Sequence, residues 1–145
     1  MTRVDFYVVA DESDTARLNV ACRLAEKAHV HGHRVHVHTE SAAQAKSLDG
    51  YLWTYRDGGF VPHALIDDEL ITRYPGAAPI LIGHGQEPVA DTEILINLAN
   101  SVPDFFSRLD RVMEVVGGDA PTRATARERF KFYRDRGYDL KSHNL

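Results

Sequence analysis

A run of β-branched and aromatic residues from Val4 to Ala10 opens the chain, and together with the next 28 residues it leaves few folds available. The run is bounded by Asp11-Glu12-Ser13-Asp14, so it reads as a buried strand ending in a turn. Ser13 or Asp14 then caps a helix in which Leu18, Cys22, Ala25 and His29 recur at helical spacing, with Ala21, Leu24 and Ala28 widening the apolar stripe. Gly32 stops this helix. His33-Arg34-Val35-His36-Val37-His38 alternates with period two, the mark of a second strand. Parallel strands need a long crossover, whereas an antiparallel pair can be joined by a short turn. The opening therefore predicts a βαβ unit and a parallel sheet.

The remainder fits the same class. Ser41 to Trp53 reads as a second helix with Ala42, Ala45, Leu48, Leu52 and Trp53 on its apolar face, ending near Asp57-Gly58-Gly59. Phe60-Val61-Pro62-His63 is extended, and residues 67–79 form a connection with a short helical turn. Pro79 to Gly83 and Glu93 to Leu98 are short, fully buried strands. Pro103 opens a helix to about Leu109, and Arg111 to Val116 is a strand that runs into a Gly117-Gly118 turn. Asp119 and Pro121 start the last helix, which runs to Gly137. With 145 residues, 43% of them hydrophobic, the chain suits one α/β domain over 1–145 around a single core.

Several classes of function are disfavoured. The longest apolar stretches fall far short of the roughly 20 residues of a membrane-spanning helix, and no leader pattern is visible. A lone Cys22 fits a small buried residue in a reducing compartment, so the expected location is cytoplasmic, away from membranes. The loop after the first strand carries Asp11, Glu12 and Asp14 where a dinucleotide site needs glycines, and carboxylates there repel phosphate. Gly83-His84-Gly85 has no Lys-Ser/Thr behind it and is no P-loop. His29, His31, His33, His36 and His38 could gather around a metal, but His36 and His38 share one strand face with Cβ atoms about 7 Å apart. No carboxylate or cysteine joins them at ligand spacing, so the expectation is a solvated strand edge, with no metal and no cofactor. No Gly-x-Ser-x-Gly or activated cysteine marks an enzyme.

Charge is distributed unevenly. Net charge is −4, yet residues 121–145 hold seven Lys/Arg against three acids, a basic tail on an acidic body. At 100° per residue, Arg123, Arg127, Phe130 and Arg134 fall within about 60° of one another on the last helix. Ala126 and Tyr133 flank this stripe on the side that would meet the sheet, so Phe130 can close a pocket whose rim is cationic. A solvated arginine face is the plain alternative. The functional reading is capture of an acidic peptide, since arginine forks suit carboxylates and an aromatic pocket supplies a desolvated anchor.

The segment Ala126-Arg127-Glu128-Arg129-Phe130-Lys131-Phe132-Tyr133-Arg134 with Gly137-Tyr138 has three companions in order along the chain. These are Ile94-Leu95-Ile96-Asn97-Leu98, Pro103-x-Phe105-Phe106, and Trp53 with Phe60-Val61-Pro62-His63. Together with the opening Phe6-Tyr7 strand, these motifs resemble the chi subunit of bacterial DNA polymerase III over nearly the whole chain. The resemblance implies a Rossmann-like, three-layer α/β fold with a mostly parallel sheet, flanking helices and no nucleotide-binding loop. It implies a non-catalytic clamp-loader subunit that binds the psi subunit and the acidic C-terminal tail of single-stranded DNA-binding protein, meeting nucleic acid only indirectly. Carried over by position, the tail site falls on Arg127 and Phe130 with Lys131, Arg123 and Val116 around them, and Arg134 continues the stripe. The psi-facing surface falls near Trp53 and Phe60. Where the family often has tyrosine, Phe130 keeps the ring and loses a hydroxyl donor.

Two other classes remain open from the residues alone. One is a small-molecule or nucleotide-binding α/β protein using the strand ends. The other is direct single-strand DNA binding by the arginine-rich helix, which the acidic body and the divergent directions of Phe130 and Phe132 disfavour.

Overall fold

The computed structural model describes residues 1–56 and 61–145. Its elements are β1 (Arg3–Val8), α1 (Asp14–Val30), β2 (Val35–His38), α2 (Ala42–Thr54), β3 (His63–Leu65), α3 (Glu69–Arg73), β4 (Ile80–Gly83), β5 (Ile94–Asn97), β6 (Arg111–Val116), α4 (Ala120–Asp135) and β7 (Asp139–Asn144). The strands form one sheet in the order β3-β4-β2-β5-β6-β1-β7, and every pairing is parallel.

Period-two alternation divides the sheet into two apolar faces. Val35, Val37, Ile80, Ile82, Ile94, Ile96, Met113 and Val115 pack under α1 and α2. Val4, Phe6, Leu95, Val112 and Val116 point the other way, against Ala126 and Tyr133 of α4 and the Phe105-Phe106 turn. The result is a three-layer α/β arrangement. Side chains start the helices: Ser13 accepts from the Ala16 N–H at 3.2 Å, Ser41 from Gln44 at 3.1 Å, and Asp119 from Thr122 at 3.1 Å.

The opening strands β1 and β2 are parallel in one sheet, as the βαβ reading expects, with β5 and β6 between them. Three expectations need correction. The histidine strand is no solvated edge: β2 sits between β4 and β5, and His36 is 1% exposed. Pro103 opens only a 3₁₀ turn at Phe106–Arg108, since Phe105, Phe106 and Leu109 must all reach the core from one short segment. Finally, the chain after Gly137 adds the unanticipated strand β7. Gly137, at φ +77°, makes that turn possible: its N–H bonds the Arg134 carbonyl at 3.0 Å and the Tyr138 N–H bonds that of Tyr133 at 3.2 Å.

Candidate functional site

α4 turns Ala126, Arg129 and Tyr133 into the protein, as its apolar spacing requires. Phe130 lies beside that buried row, edge-on to Phe6 of β1 with ring centroids 5.3 Å apart. Between the N-terminal half of α4 and the ends of β1, β6 and β7 runs a groove of about 190 Å³. Phe6, Val8, Val116, Ala126 and Phe130 give it apolar walls, Ser142 of β7 borders it, and Arg123 and Arg127 stand over it.

The two arginines are held differently. Arg123 donates its Nε to the Gly118 carbonyl at 3.1 Å, so the β6–α4 turn orients it. Gly118 itself is pressed against the β1–α1 loop, where a Cβ would lie 2.7 Å from the Asp11 carbonyl oxygen. Arg127 is exposed, and its guanidinium makes no hydrogen bond or ion pair with any described residue. The arrangement offers an apolar slot, one anchored guanidinium and one uncommitted guanidinium, which can seat a ring and pair with a carboxylate at once.

Beneath α4 lies a buried polar cluster that sequence reasoning missed. Glu114 is fully buried and accepts from Asn97 Nδ2 at 3.0 Å, Arg129 Nε at 2.9 Å and the Tyr133 hydroxyl at 2.8 Å. Burial pushes the Glu114 carboxyl up, while Arg129, Asn97 and Tyr133 favour its ionised form. Arg129 also donates Nη1 to the Asn100 carbonyl and to Thr125 Oγ1, both at 3.1 Å. A signal existed: Asn97 and Glu114 each interrupt an apolar strand run, and both belong to the inward face toward α4. This cluster fixes the rotation of α4 and hence where Arg127 and Phe130 stand.

The expected site residues thus divide. Val116, Arg123, Arg127 and Phe130 come together at the groove. Lys131 and Arg134 lie on the exposed surface of α4 outside its lining, and Arg134 pairs with Asp135 at 3.3 Å. Trp53 is far from them at the end of α2, 54% exposed, its ring 5.0 Å from that of His63. Phe60 lies outside the described residues. Phe6, Val8 and Ser142 were not anticipated at the site; the first two are legible as one face of the opening strand, but Ser142 depends on β7.

Elsewhere, the β1–α1 loop keeps its acids, and hydrogen bonds from Ser13 hold the Asp11 carboxyl below the usual carboxylate range. Among the described residues, no three His, Cys, Asp or Glu side chains group to hold a metal. None of the described helices is long and apolar enough to cross a membrane.

Comparison with known proteins bears directly on this geometry. The family model described as DNA polymerase III chi subunit, HolC, matches residues 1–141. The chain belongs to the DNA polymerase III chi subunit family. The protein named DNA polymerase III subunit chi from Pseudomonas aeruginosa is 43% identical over 145 residues, covering 100% of this chain and 98% of that one. The chi subunits of Haemophilus influenzae and Escherichia coli are 33% and 30% identical, covering 97% and 98% of this chain and 95% and 97% of theirs. Among solved structures, the crystal structure of T4 UvsW superposes with a TM-score of 0.66 at 12% identity, over 99% of this chain and 42% of that one. That likeness shows a shared α/β fold for this chi-family chain and nothing more.

Proposed function

We propose that this chi-family chain is a non-catalytic accessory subunit of the replicative polymerase's clamp-loader assembly. It acts as an adaptor that captures the acidic C-terminal tail of single-stranded DNA-binding protein at the α4 groove. One observation carries the reading: an apolar slot walled by Phe6 and Phe130 is lined as well by the exposed Arg127. A peptide ending in an aromatic residue satisfies both halves, the ring in the slot and the terminal carboxylate on the arginine. The psi subunit docks on the remote Trp53 surface, where an exposed indole supplies an interface anchor. Separate surfaces let one chain hold both partners.

The test is fluorescence anisotropy of a labelled acidic peptide ending in Phe, titrated with wild-type protein and with Arg127→Ala, beside an amidated control. Saturable binding that weakens on both changes supports tail capture at α4. Equal binding of the amidated peptide overturns it.

A further inference from the structure

β7 is an edge strand, and its free edge begins at the groove. The Leu145 N–H bonds the Val8 carbonyl at 2.9 Å, and Val8 is in register with Asn144. In a parallel ladder, alternate residues of a strand turn both backbone groups to the same side. Residues 141, 143 and 145 therefore face β1, whereas Leu140, Ser142 and Asn144 present their N–H and C=O groups outward. No further described strand pairs there. Ser142, the middle of these residues, also borders the groove.

Charge decides which way a peptide seated in the groove would leave it. Beyond the C-terminal end of β1 stand Asp11, Glu12 and Asp14, which repel an acidic chain. In the opposite direction the exposed side of α4 carries Lys131 and Arg134 beyond Arg127. The α4 helix packs on β7, and the chain reverses at Gly137, so α4 runs from Arg127 through Lys131 and Arg134 toward the start of β7, where Asp135, paired with Arg134, and Asp139 also stand.

We propose that the upstream residues of the acidic peptide pair with β7 as an eighth parallel strand, with its acids facing Lys131 and Arg134. This rests on the groove reading above and extends it: the groove selects the C-terminus, and the edge selects an extended acidic segment before it. Main-chain pairing at a sheet edge supplies affinity with little demand on side-chain identity. It also gives Lys131 and Arg134, which lie outside the groove, a place in recognition.

The experiment uses the full chain and a labelled acidic peptide of about nine residues, ending in Phe with a free carboxylate, together with analogues N-methylated singly at each upstream position. Edge pairing predicts alternation: methylation at every second position weakens binding about five- to tenfold, and the intervening positions have little effect. Amide exchange at Ser142 and Asn144 slows when the parent peptide binds. Ser142→Pro removes one outward donor at an edge position where proline is tolerated. Because Ser142 also borders the groove, the substitution should weaken the long peptide by a larger factor than it weakens a peptide of about three terminal residues. Binding of the parent with no alternation and no added protection overturns the edge proposal and leaves the groove reading standing. Absence of binding by the parent and the short peptide overturns both.

Discussion

The guanidinium of Arg129 meets the carboxylate of Glu114 at 2.9 Å in the seam between α4 and β6, with the two side chains only 3% and 0% exposed. Close by in sequence are the groove's own residues: Arg127 lies two residues before the arginine and Phe130 one after it, and Val116 lies two residues beyond the acid. The ion pair thus pins the register of the helix that carries the proposed binding groove. Removing one partner strands the other charge in the interior, which costs far more than the pair itself contributes.

Arg129→Leu should accordingly lower unfolding free energy by about 3–5 kcal/mol, read from urea denaturation. A double replacement, Arg129→Met with Glu114→Leu, should cost less than Arg129→Leu alone, because no uncompensated charge remains. A double variant less stable than the single one would show that the pair contributes net stability.

His36 gives the protein a defined acid sensitivity. It is buried in the middle of the sheet, and neither ring nitrogen has a hydrogen-bond partner among the described residues. Burial, with the neighbouring His38 adding to it, pushes its pKa down to about 3 from the ordinary histidine value of 6.5. Between those values the unfolded chain binds a proton that the folded one refuses. Stability from this residue is complete above the unfolded pKa and falls as pH drops through the window, by up to about 1.4 kcal/mol per pH unit. His36→Leu should flatten that slope, measured by urea midpoints from pH 7 to pH 4.

Much of this fold was legible because its strands and helices carry clear periodicity. The run Val4 to Ala10 and the stripe Leu18, Cys22, Ala25 needed no tertiary information, and α4 is implied by Asp119, Pro121 and its apolar spacing. Legibility ends where burial contradicts local appearance. β7 has only Leu140 as a large apolar residue within it, since an edge strand buries little, and so it resembles a tail. The histidines of β2 look solvated because nothing in a linear reading says which strand takes the interior place. At the site, helical geometry located Arg123, Arg127 and Phe130, while the opposite wall required knowing that β1 lies beneath α4.

Gly137 holds the junction between α4 and β7 at φ +77°, and a Cβ there would meet no atom within 4 Å. Gly137→Ala therefore costs backbone strain alone, about 1–2 kcal/mol. The loss should appear as a lower thermal midpoint with an unchanged fold by circular dichroism. A neutral result would mean that the turn relaxes into another geometry.

Replacing Trp53 tests the proposed psi docking surface separately from stability. Trp53 is 54% exposed and its ring leans on His63, so truncation removes the contacts of a half-buried side chain rather than those of a core one. Trp53→Ala should shift unfolding free energy by no more than about 2 kcal/mol while weakening psi binding at least tenfold, measured by isothermal titration calorimetry. A large fall in stability would assign the indole to the core instead.

The last prediction concerns how the groove divides its labour. Arg127 is exposed, so its attraction for a carboxylate acts through water and is screened over about 8 Å at physiological ionic strength. In the proposed capture, Phe130 would act by removing apolar surface from water, a contribution that added salt does not screen. Raising salt should therefore weaken the wild-type protein's grip on an acidic peptide, and Arg127→Ala should both lower affinity at least tenfold and reduce that salt dependence. Phe130→Ala should lower affinity by a similar factor yet keep the wild-type salt slope, because both arginines remain. Titrations at several salt concentrations with the three proteins read all of these slopes. Parallel slopes for wild type and Arg127→Ala would show that the charge contacts lie elsewhere on α4.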